Sequence, residues 1–394
     1  MKFLPLSSTI LEYCGAWPSP KYYSGWKKIL YDLYTILIVL SVFTFCLSGI
    51  IQVCIFTHSI RQFVSNSYML LTFIAVFFKV LVIVAKRDHL SELFESVQAG
   101  LCEAKNEEER RIKNEWDPKS SFRVQGFRTL VMSTVIIGVV SSIKGNAPSR
   151  TLQYGGWFPF NHTEGVGYWT AFIYQRVAHD WGTLIGSTTD AVIYGIMMQT
   201  CAQLKILKCR LRKIPETIRQ YAALSKNEND NYKDAKDTRK WESKIIIDCI
   251  KHHLLILQFA DICNGIFAIV IFLQFSASGL VVCISVIMLS KLKFMSPAFT
   301  YISFYLSCML SQIFLYCWFG NEVITESSDI YLAIYEMNWP DLSLNTKKDL
   351  LIIMARSVYP IEFTSGHVVT LSINSFNAVM KLSYSVYNVI GQRG

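Results

Sequence analysis

The chain has 394 residues, of which 52% are hydrophobic and 14% aromatic, while only 17% carry a charge. A soluble protein of this length carries more charge and less aromatic surface, so the composition excludes an ordinary soluble enzyme or binding module. The net charge of +9 could indicate a nucleic-acid partner, but the basic residues lie between long apolar runs rather than in one basic patch. We therefore expect a membrane protein that binds no nucleic acid.

Apolar runs long enough to cross a bilayer, which takes about 20 helical residues, occur seven times along the chain. Because a helix satisfies its own backbone hydrogen bonds in lipid, these runs predict an all-α membrane protein with seven transmembrane helices. They lie at Leu33–Phe56, Ser67–Ala85, Phe127–Ile143, Trp169–Leu204, Ile262–Leu289, Ala298–Phe319 and Val368–Ile390.

The Lys and Arg residues divide unequally between the two sides of these spans. Twenty-nine of the 38 lie in the N-terminal segment and in the connections after the second, fourth and sixth spans, whereas six lie on the opposite side. Positive charge marks the cytoplasmic side, so we expect the N-terminus inside and the C-terminus outside. The sequon Asn161-His162-Thr163 falls on the predicted outer side, which makes Asn161 a candidate glycosylation site.

The second and fourth spans contain charged residues within their apolar stretches. Lys79 in the second span can reach the interface with its long side chain or find a partner within the bundle. The fourth apolar stretch contains Arg176, Asp180 and Asp190, and it exceeds one bilayer crossing, so it is expected to project beyond the membrane. Arg176 and Asp180 lie four residues apart, which predicts an ion pair along one helix face.

The outer connection after the third span is rich in glycine and aromatic residues around Pro159, which predicts a compact lid with turns. The outer halves of the second to sixth spans contain many aromatic residues and a few hydroxyls. An apolar cavity with few polar groups is what a small hydrophobic ligand requires, although the same side chains could serve only as packing between helices. The candidate ligand contacts are Tyr68, Thr72, Ile137, Ser141, Phe172, Trp181, Tyr301 and Tyr305.

The last span carries five polar residues at steps of three and four, so on a helix they form one continuous stripe. They are Asn374, Asn377, Lys381, Tyr384 and Asn388. Each is costly in hydrocarbon unless it meets protein or water, so the stripe either bonds to neighbouring helices or lines a water-filled path. One helix cannot enclose a conduit, so the second interpretation requires several chains.

Catalytic and cofactor motifs are missing from the sequence. It contains no His-Glu-x-x-His, Cys-x-x-Cys, Gly-x-x-x-x-Gly-Lys or Gly-x-Ser-x-Gly pattern. His252 and His253 are adjacent, so on a helix they point to different faces and cannot chelate one ion. We therefore expect neither an enzyme nor a bound metal or cofactor.

Several stretches of the chain resemble the insect odorant receptor family. WFPF and YWTAFIYQ resemble the second outer loop of that family and the start of its fourth span. The C-terminal pattern is carried by HHLLILQFADICNGIFAIVIFLQFSASGLVVC (252–283), QIFLYCWFGNEV…AIYEMNW (312–339), KKDLLIIMARS…P (347–360) and TLSINSFNAVMKLSYSVYNVI (370–390).

The resemblance implies an odorant-gated, non-selective cation channel in the plasma membrane of olfactory neuron dendrites. Four subunits would surround one pore, with tuning subunits joined to the shared co-receptor of the family and a small volatile odorant as ligand. It also implies a split last helix, with a cytoplasmic anchor piece near 345–358 and a pore-lining piece at 368–390. The implied domains are an N-terminal segment (1–32), a ligand-binding bundle (33–319), the connection with the anchor helix (320–361) and the pore helix with its tail (362–394).

The SYSVYNVIG pattern of the family places the gate near Tyr387 and Gly391. The co-receptor has hydrophobic gate residues and a long cytoplasmic insertion that this chain lacks, so the chain resembles a tuning subunit. A cationic Lys381 is unfavourable in a cation path unless it turns into the subunit interface or the other subunits lack it. The pore candidates are Asn377, Lys381, Tyr384, Tyr387, Asn388 and Gly391.

Three other classes of protein fit the sequence less well than a channel subunit. A G-protein-coupled receptor has its N-terminus outside, which would place Asn161 in the cytosol. A gustatory-type relative would share the architecture but take non-volatile ligands, and the SYSVY ending disfavours it. A transporter would show inverted repeats or a pair of interrupted spans, and neither is evident.

Overall fold

The computed structural model describes residues 5–18, 25–56, 60–225 and 231–391. This part of the chain is almost entirely helical, as predicted. Its helices are α1 (Pro5–Tyr13), α2 (Trp26–Ile55), α3 (Ile60–Ser96), α4 (Glu107–Ser141), α5 (Ala147–Ser149), α6 (Gly165–Ser225), α7 (Asn231–Lys291), α8 (Pro297–Ser328), α9 (Ile330–Tyr335), α10 (Leu344–Ser357) and α11 (Ile373–Gly391). One short hairpin, β1 (Thr364–Ser365) with β2 (Val369–Thr370), precedes α11.

Helices α6 and α7 form the spine of the bundle. Each has 61 residues, which corresponds to about 90 Å of helix, roughly three times the hydrocarbon thickness of a bilayer. Both are therefore longer than a membrane crossing requires. Helix α6 also continues beyond Leu204, the end of the predicted span, because hydropathy does not detect its last turns, which are amphipathic rather than apolar. Every residue of α6 from 185 to 204 is buried. A helix that is buried on all sides lies at the centre of its bundle.

Five stretches of the described chain are long and apolar enough to cross a membrane by length and composition: Trp26–Ile55, Asn66–Ser96, Ser121–Ser149, Thr238–Ser290 and Pro297–Tyr335. The remaining two predicted spans, α6 and α11, are more polar. The polar composition of α6 is explained by its burial, because a helix surrounded by other helices needs no apolar surface facing lipid. The chain is an all-α, multi-pass membrane protein, while the seven-span topology and the orientation of the termini stay predictions.

The chain after α9 forms two separate helices, α10 and α11, as expected for a split last helix. The hairpin between them turns at Gly366 and His367, both with positive φ, which is the backbone conformation that tight hairpin turns require. Asn264 of α7 holds this hairpin, because its Oδ1 accepts a 2.9 Å hydrogen bond from the Thr364 amide. The Gly366 amide also donates to the Ala268 carbonyl at 2.8 Å.

One predicted helix boundary differs from the structure. The pore helix begins at Ile373 rather than Val368, because Val369 pairs with Ser365 in the hairpin. Helix α8 continues past residue 320 to Ser328, and the division into domains stays a prediction. Gly320 permits a close approach there, since a Cβ at this position would lie 2.3 Å from the Leu371 carbonyl oxygen.

Candidate ligand cavity and pore helix

A small cavity of about 70 Å³ lies between α3, α4, α6, α7 and α8. Its walls are mainly apolar and include Met69, Phe73, Val76, Val131 and Met309. On α4 and α6 the lining residues recur at helical spacing, so each helix presents one face to the cavity. The arrangement is suited to holding a small, largely apolar molecule.

Four predicted ligand contacts meet at one end of the cavity. Thr72 and Tyr305 share a 2.6 Å hydrogen bond between their hydroxyls, and both line the cavity with Tyr301. The rings of Tyr301 and Tyr305 stack with their centroids 6.4 Å apart. Tyr68 packs edge-on against Tyr305 at 5.6 Å without lining the cavity itself.

The outer connection closes this end of the bundle. Tyr154 is buried, shares a 3.2 Å hydrogen bond with the Tyr301 hydroxyl, and stacks on the His179 ring at a centroid distance of 4.7 Å. The segment is also tied to α2, because the Trp157 amide donates to the Ser48 carbonyl at 3.1 Å and the Ser48 hydroxyl donates back at 2.8 Å. The predicted lid is therefore a structured cover rather than a free loop.

The other four candidate contacts lie outside the cavity lining and are half-buried: Ile137, Ser141, Phe172 and Trp181. On α4 the face that lines the cavity ends near Gly138, where the Tyr301 ring packs against the helix. Ile137 and Ser141 therefore lie beyond the tyrosine cluster. Phe172 packs with Tyr168 and Trp169 further out along α6. Trp181 lies two residues from both His179 and Thr183, and two residues turn a helix about 200° away from their face.

A charged group at the opposite end of the cavity was not predicted as a unit. Lys79 of α3 and Asp190 of α6 are each 1% exposed, and their Nζ and Oδ1 atoms lie 2.6 Å apart. Asp190 also accepts hydrogen bonds from Tyr316, at 2.6 Å, and from the Gln312 amide of α8. Gln274 of α7 donates to the Gln312 Oε1 at 2.8 Å. Lys79, Asp190, Gln274 and Gln312 all line the cavity, and we call them the polar floor.

The sequence contains one signal for this polar floor, namely a charge of opposite sign in each of two apolar spans, Lys79 in the second and Asp190 in the fourth. A separation of 111 positions gives no indication that they pair, so only the fold brings them together. The prediction of an Arg176–Asp180 ion pair is confirmed, since the Arg176 Nε donates to the Asp180 Oδ2 at 3.0 Å. Arg176 also donates to Gln153, which links this pair to the lid.

Among its described side chains, helix α11 packs on α7 and α8 by one face. Phe376 contacts the Phe314 ring at a centroid distance of 5.5 Å, and Val379 lies against Gly279. The opposite face carries the five polar residues predicted to form a stripe, and all five are exposed on the protomer: Asn374, Asn377, Lys381, Tyr384 and Asn388. The side chain of Tyr387 and the surroundings of Gly391 lie outside the described part of the structure.

Asn161 is exposed in the outer connection, and its Oδ1 accepts hydrogen bonds from the Thr163 amide at 3.1 Å and the Thr163 hydroxyl at 2.8 Å. The sequon is therefore accessible. Within the described residues, no group of three or more His, Cys, Asp or Glu side chains is placed to hold a metal ion.

Comparison with known proteins agrees with this architecture. The family model described as 7tm Odorant receptor matches residues 59–384. The odorant receptor Or1 of Anopheles gambiae is 25% identical over 267 residues, which cover 65% of this chain and 63% of that protein. Odorant receptor 33a of Drosophila melanogaster is 23% identical over 287 residues, covering 72% of this chain and 71% of the relative.

The fold is also known from solved structures. The olfactory receptor OR5 of Machilis hrabei, in complex with eugenol, superimposes with a TM-score of 0.85 at 17% sequence identity, covering 100% of this chain and 98% of that one. A second structure of the same receptor superimposes with a TM-score of 0.80 at 18% identity. The fold is thus that of a helical membrane bundle, and the match of the family model over most of the chain defines its class as a receptor. The chain belongs to the insect odorant receptor family.

Proposed function

We propose that the chain is an odorant-gated subunit of a non-selective cation channel, in which the α11 helices of several subunits line one pore. The exposed polar stripe of α11 carries this proposal. Five polar side chains on the unpacked face of a membrane helix are costly against lipid but stable against water. Since one helix cannot surround a water-filled path, the stripe needs matching helices from neighbouring subunits.

The cavity is the proposed odorant site. Its volume of about 70 Å³ is smaller than the ~150 Å³ that accommodates benzene in an engineered protein core, so an odorant must enlarge it. A ligand that fits only the enlarged cavity shifts the equilibrium toward the conformation with that cavity. The change in the free-energy difference between the two conformations equals the difference in the binding free energy of the ligand to them.

Two helices connect the cavity with the proposed pore. Gln274 and Gln312 line the cavity from α7 and α8, and the same two helices hold α11 through Gly279 and Phe314. A change in the distance between α7 and α8 at the cavity therefore moves the surface on which α11 rests. We propose that odorant binding displaces the α11 helices outward by this route and opens the gate near Tyr387 and Gly391.

Partner and location follow from the family resemblance. We propose a heterotetramer with the family's co-receptor in the plasma membrane of olfactory neuron dendrites, with the N-terminus in the cytoplasm. Lys381 is exposed beside the proposed path. It fits a cation channel if the co-receptor subunits supply the rest of the wall without a cation at that position.

The test is whole-cell recording from cells that express the chain with an insect co-receptor, the chain alone or the co-receptor alone, against one odorant panel. We expect odorant currents from the pair that are missing from either subunit alone. If the chain reaches the surface with its partner and adds no odorant response to that of the co-receptor, the proposal is wrong. Tyr387→Ala should change ion selectivity or basal leak, and a change confined to odorant sensitivity would place the gate elsewhere.

A further inference from the structure

The polar floor leaves one buried hydrogen-bond acceptor without a partner. Gln274 is 2% exposed and lines the cavity, and its Oε1 is buried with no hydrogen-bond partner among the described residues. A buried acceptor of this kind costs free energy until a donor reaches it.

The charges of the polar floor fix the orientation of both glutamine amides. Asp190 forms a salt bridge with Lys79 and accepts a hydrogen bond from Tyr316, and a carboxylate in this role offers only acceptor atoms. Gln312 must therefore turn its Nε2 toward Asp190, which leaves its Oε1 toward Gln274. Gln274 therefore donates to that oxygen from its own Nε2, and the same Nε2 donates to the Ser278 hydroxyl at 2.7 Å. The Gln274 Oε1 is thus the remaining end of a chain of oriented amides.

We infer that this cavity selects neutral alcohols, whose hydroxyl donates to the Gln274 Oε1 while the carbon skeleton lies among the apolar wall residues. The inference rests on the proposed function and adds the chemical class of the odorant. Lys79 and Asp190 neutralise each other, so the polar floor offers no unpaired charge to offset the desolvation of a charged ligand. Ethers, esters and ketones carry only acceptors, and they leave the Gln274 Oε1 without a donor.

The position of Gln274 also gives the hydroxyl a role in gating. Gln274 bonds to Ser278, and the adjacent Gly279 is where Val379 of α11 rests on α7. The ligand hydroxyl would therefore bind to the helix that directly supports the proposed pore helix. The same hydrogen bond that selects the ligand would hold α7 in its ligand-bound position.

Isomeric ligands test the inference without altering the protein. Heptyl methyl ether is an isomer of n-octanol, and benzyl methyl ether is an isomer of phenethyl alcohol, so each pair differs in its hydrogen-bond donor at constant composition. In cells that express the unmodified chain with a co-receptor, we expect the alcohol of at least one pair to act at a concentration lower by about tenfold or more. Equal potency within both pairs, or responses confined to acids, amines, esters or ketones, would overturn the inference.

A variant assigns the preference to Gln274. Gln274→Met keeps the side-chain length but removes the Oε1 acceptor together with the Nε2 donor to Gln312, so the potency ratio of alcohol to ether should fall to about one. Thr72→Val is the matched control, because the Thr72 hydroxyl is already bonded to Tyr305. Thr72→Val should change the effective concentrations of the alcohol and the ether by the same factor. An unchanged ratio in Gln274→Met contradicts the inference, whereas the absence of any odorant current from the unmodified pair contradicts the proposed function itself.

Discussion

Asp190 and Asn377 are both polar residues on helices of the membrane bundle, but they differ in burial and in hydrogen bonding within the protomer. Asp190 is 1% exposed and bonded to Lys79, Gln312 and Tyr316, whereas Asn377 is exposed on the free face of α11. A polar group that is paired inside one chain stabilises that chain. A polar group that is exposed on a membrane helix requires water or another subunit, so it indicates an assembly.

The comparison predicts its largest effect at the polar floor. Lys79→Ala leaves the Asp190 carboxylate buried without its counter-charge, which should destabilise the protein by about 3–5 kcal/mol and reduce its surface expression. Lys381→Ala removes a lysine from the exposed stripe and should leave stability near that of the unmodified chain. Thermal unfolding of the detergent-solubilised protein, followed by fluorescence size-exclusion chromatography, measures both.

The outcome for Lys79 has a second control. Replacing both partners, Lys79→Met with Asp190→Leu, removes the unpaired charge and should recover part of the lost stability. Equal unfolding temperatures for Lys79→Ala and Lys381→Ala would show that the buried pair contributes no more than an exposed lysine.

The second effect concerns the junction of α8 with the segment that precedes α11. Gly320→Ala introduces a methyl group 2.3 Å from the Leu371 carbonyl oxygen, so the backbone must shift and stability should fall by about 1–3 kcal/mol. Gly265→Ala on α7 is the matched control, because nothing lies within 4 Å of its Cβ position. Since alanine favours a helix over glycine, the control should be neutral or slightly stabilising. A larger loss in Gly265→Ala than in Gly320→Ala would contradict the described junction.

The smallest effect on stability, but a direct effect on conduction, is expected at Lys381. Lys381→Gln removes a positive charge beside the proposed path and should raise the single-channel cation conductance by roughly twofold. Lys381→Arg keeps the charge and serves as the control. Single-channel recordings of each variant with the co-receptor compare them, and equal conductance in all three would place Lys381 away from the ions.

The sequence predicted the elements better than their contacts. Hydropathy located the apolar helices, and spacing identified the stripe on α11, since both signals depend on neighbours along one helix. The Lys79–Asp190 pair and the Gln274–Gln312 chain join residues from different helices, so no local pattern contained them. The aromatic character of Trp181 predicts a ligand contact, yet the face that Trp181 occupies depends on the exact register of α6. Hydropathy places Val368 in the last helix, because a short apolar hairpin and a helix turn are equally hydrophobic.

The central claim is that the polar face of α11 borders a water-filled path shared between subunits, and cysteine accessibility tests it most directly. Asn377 and Phe376 are adjacent, but Asn377 is exposed whereas Phe376 packs on Phe314. A charged methanethiosulfonate reagent should block odorant-evoked current in Asn377→Cys, and leave Phe376→Cys as unaffected as the unmodified chain. Modification of Phe376→Cys without any effect at Asn377→Cys would contradict the account.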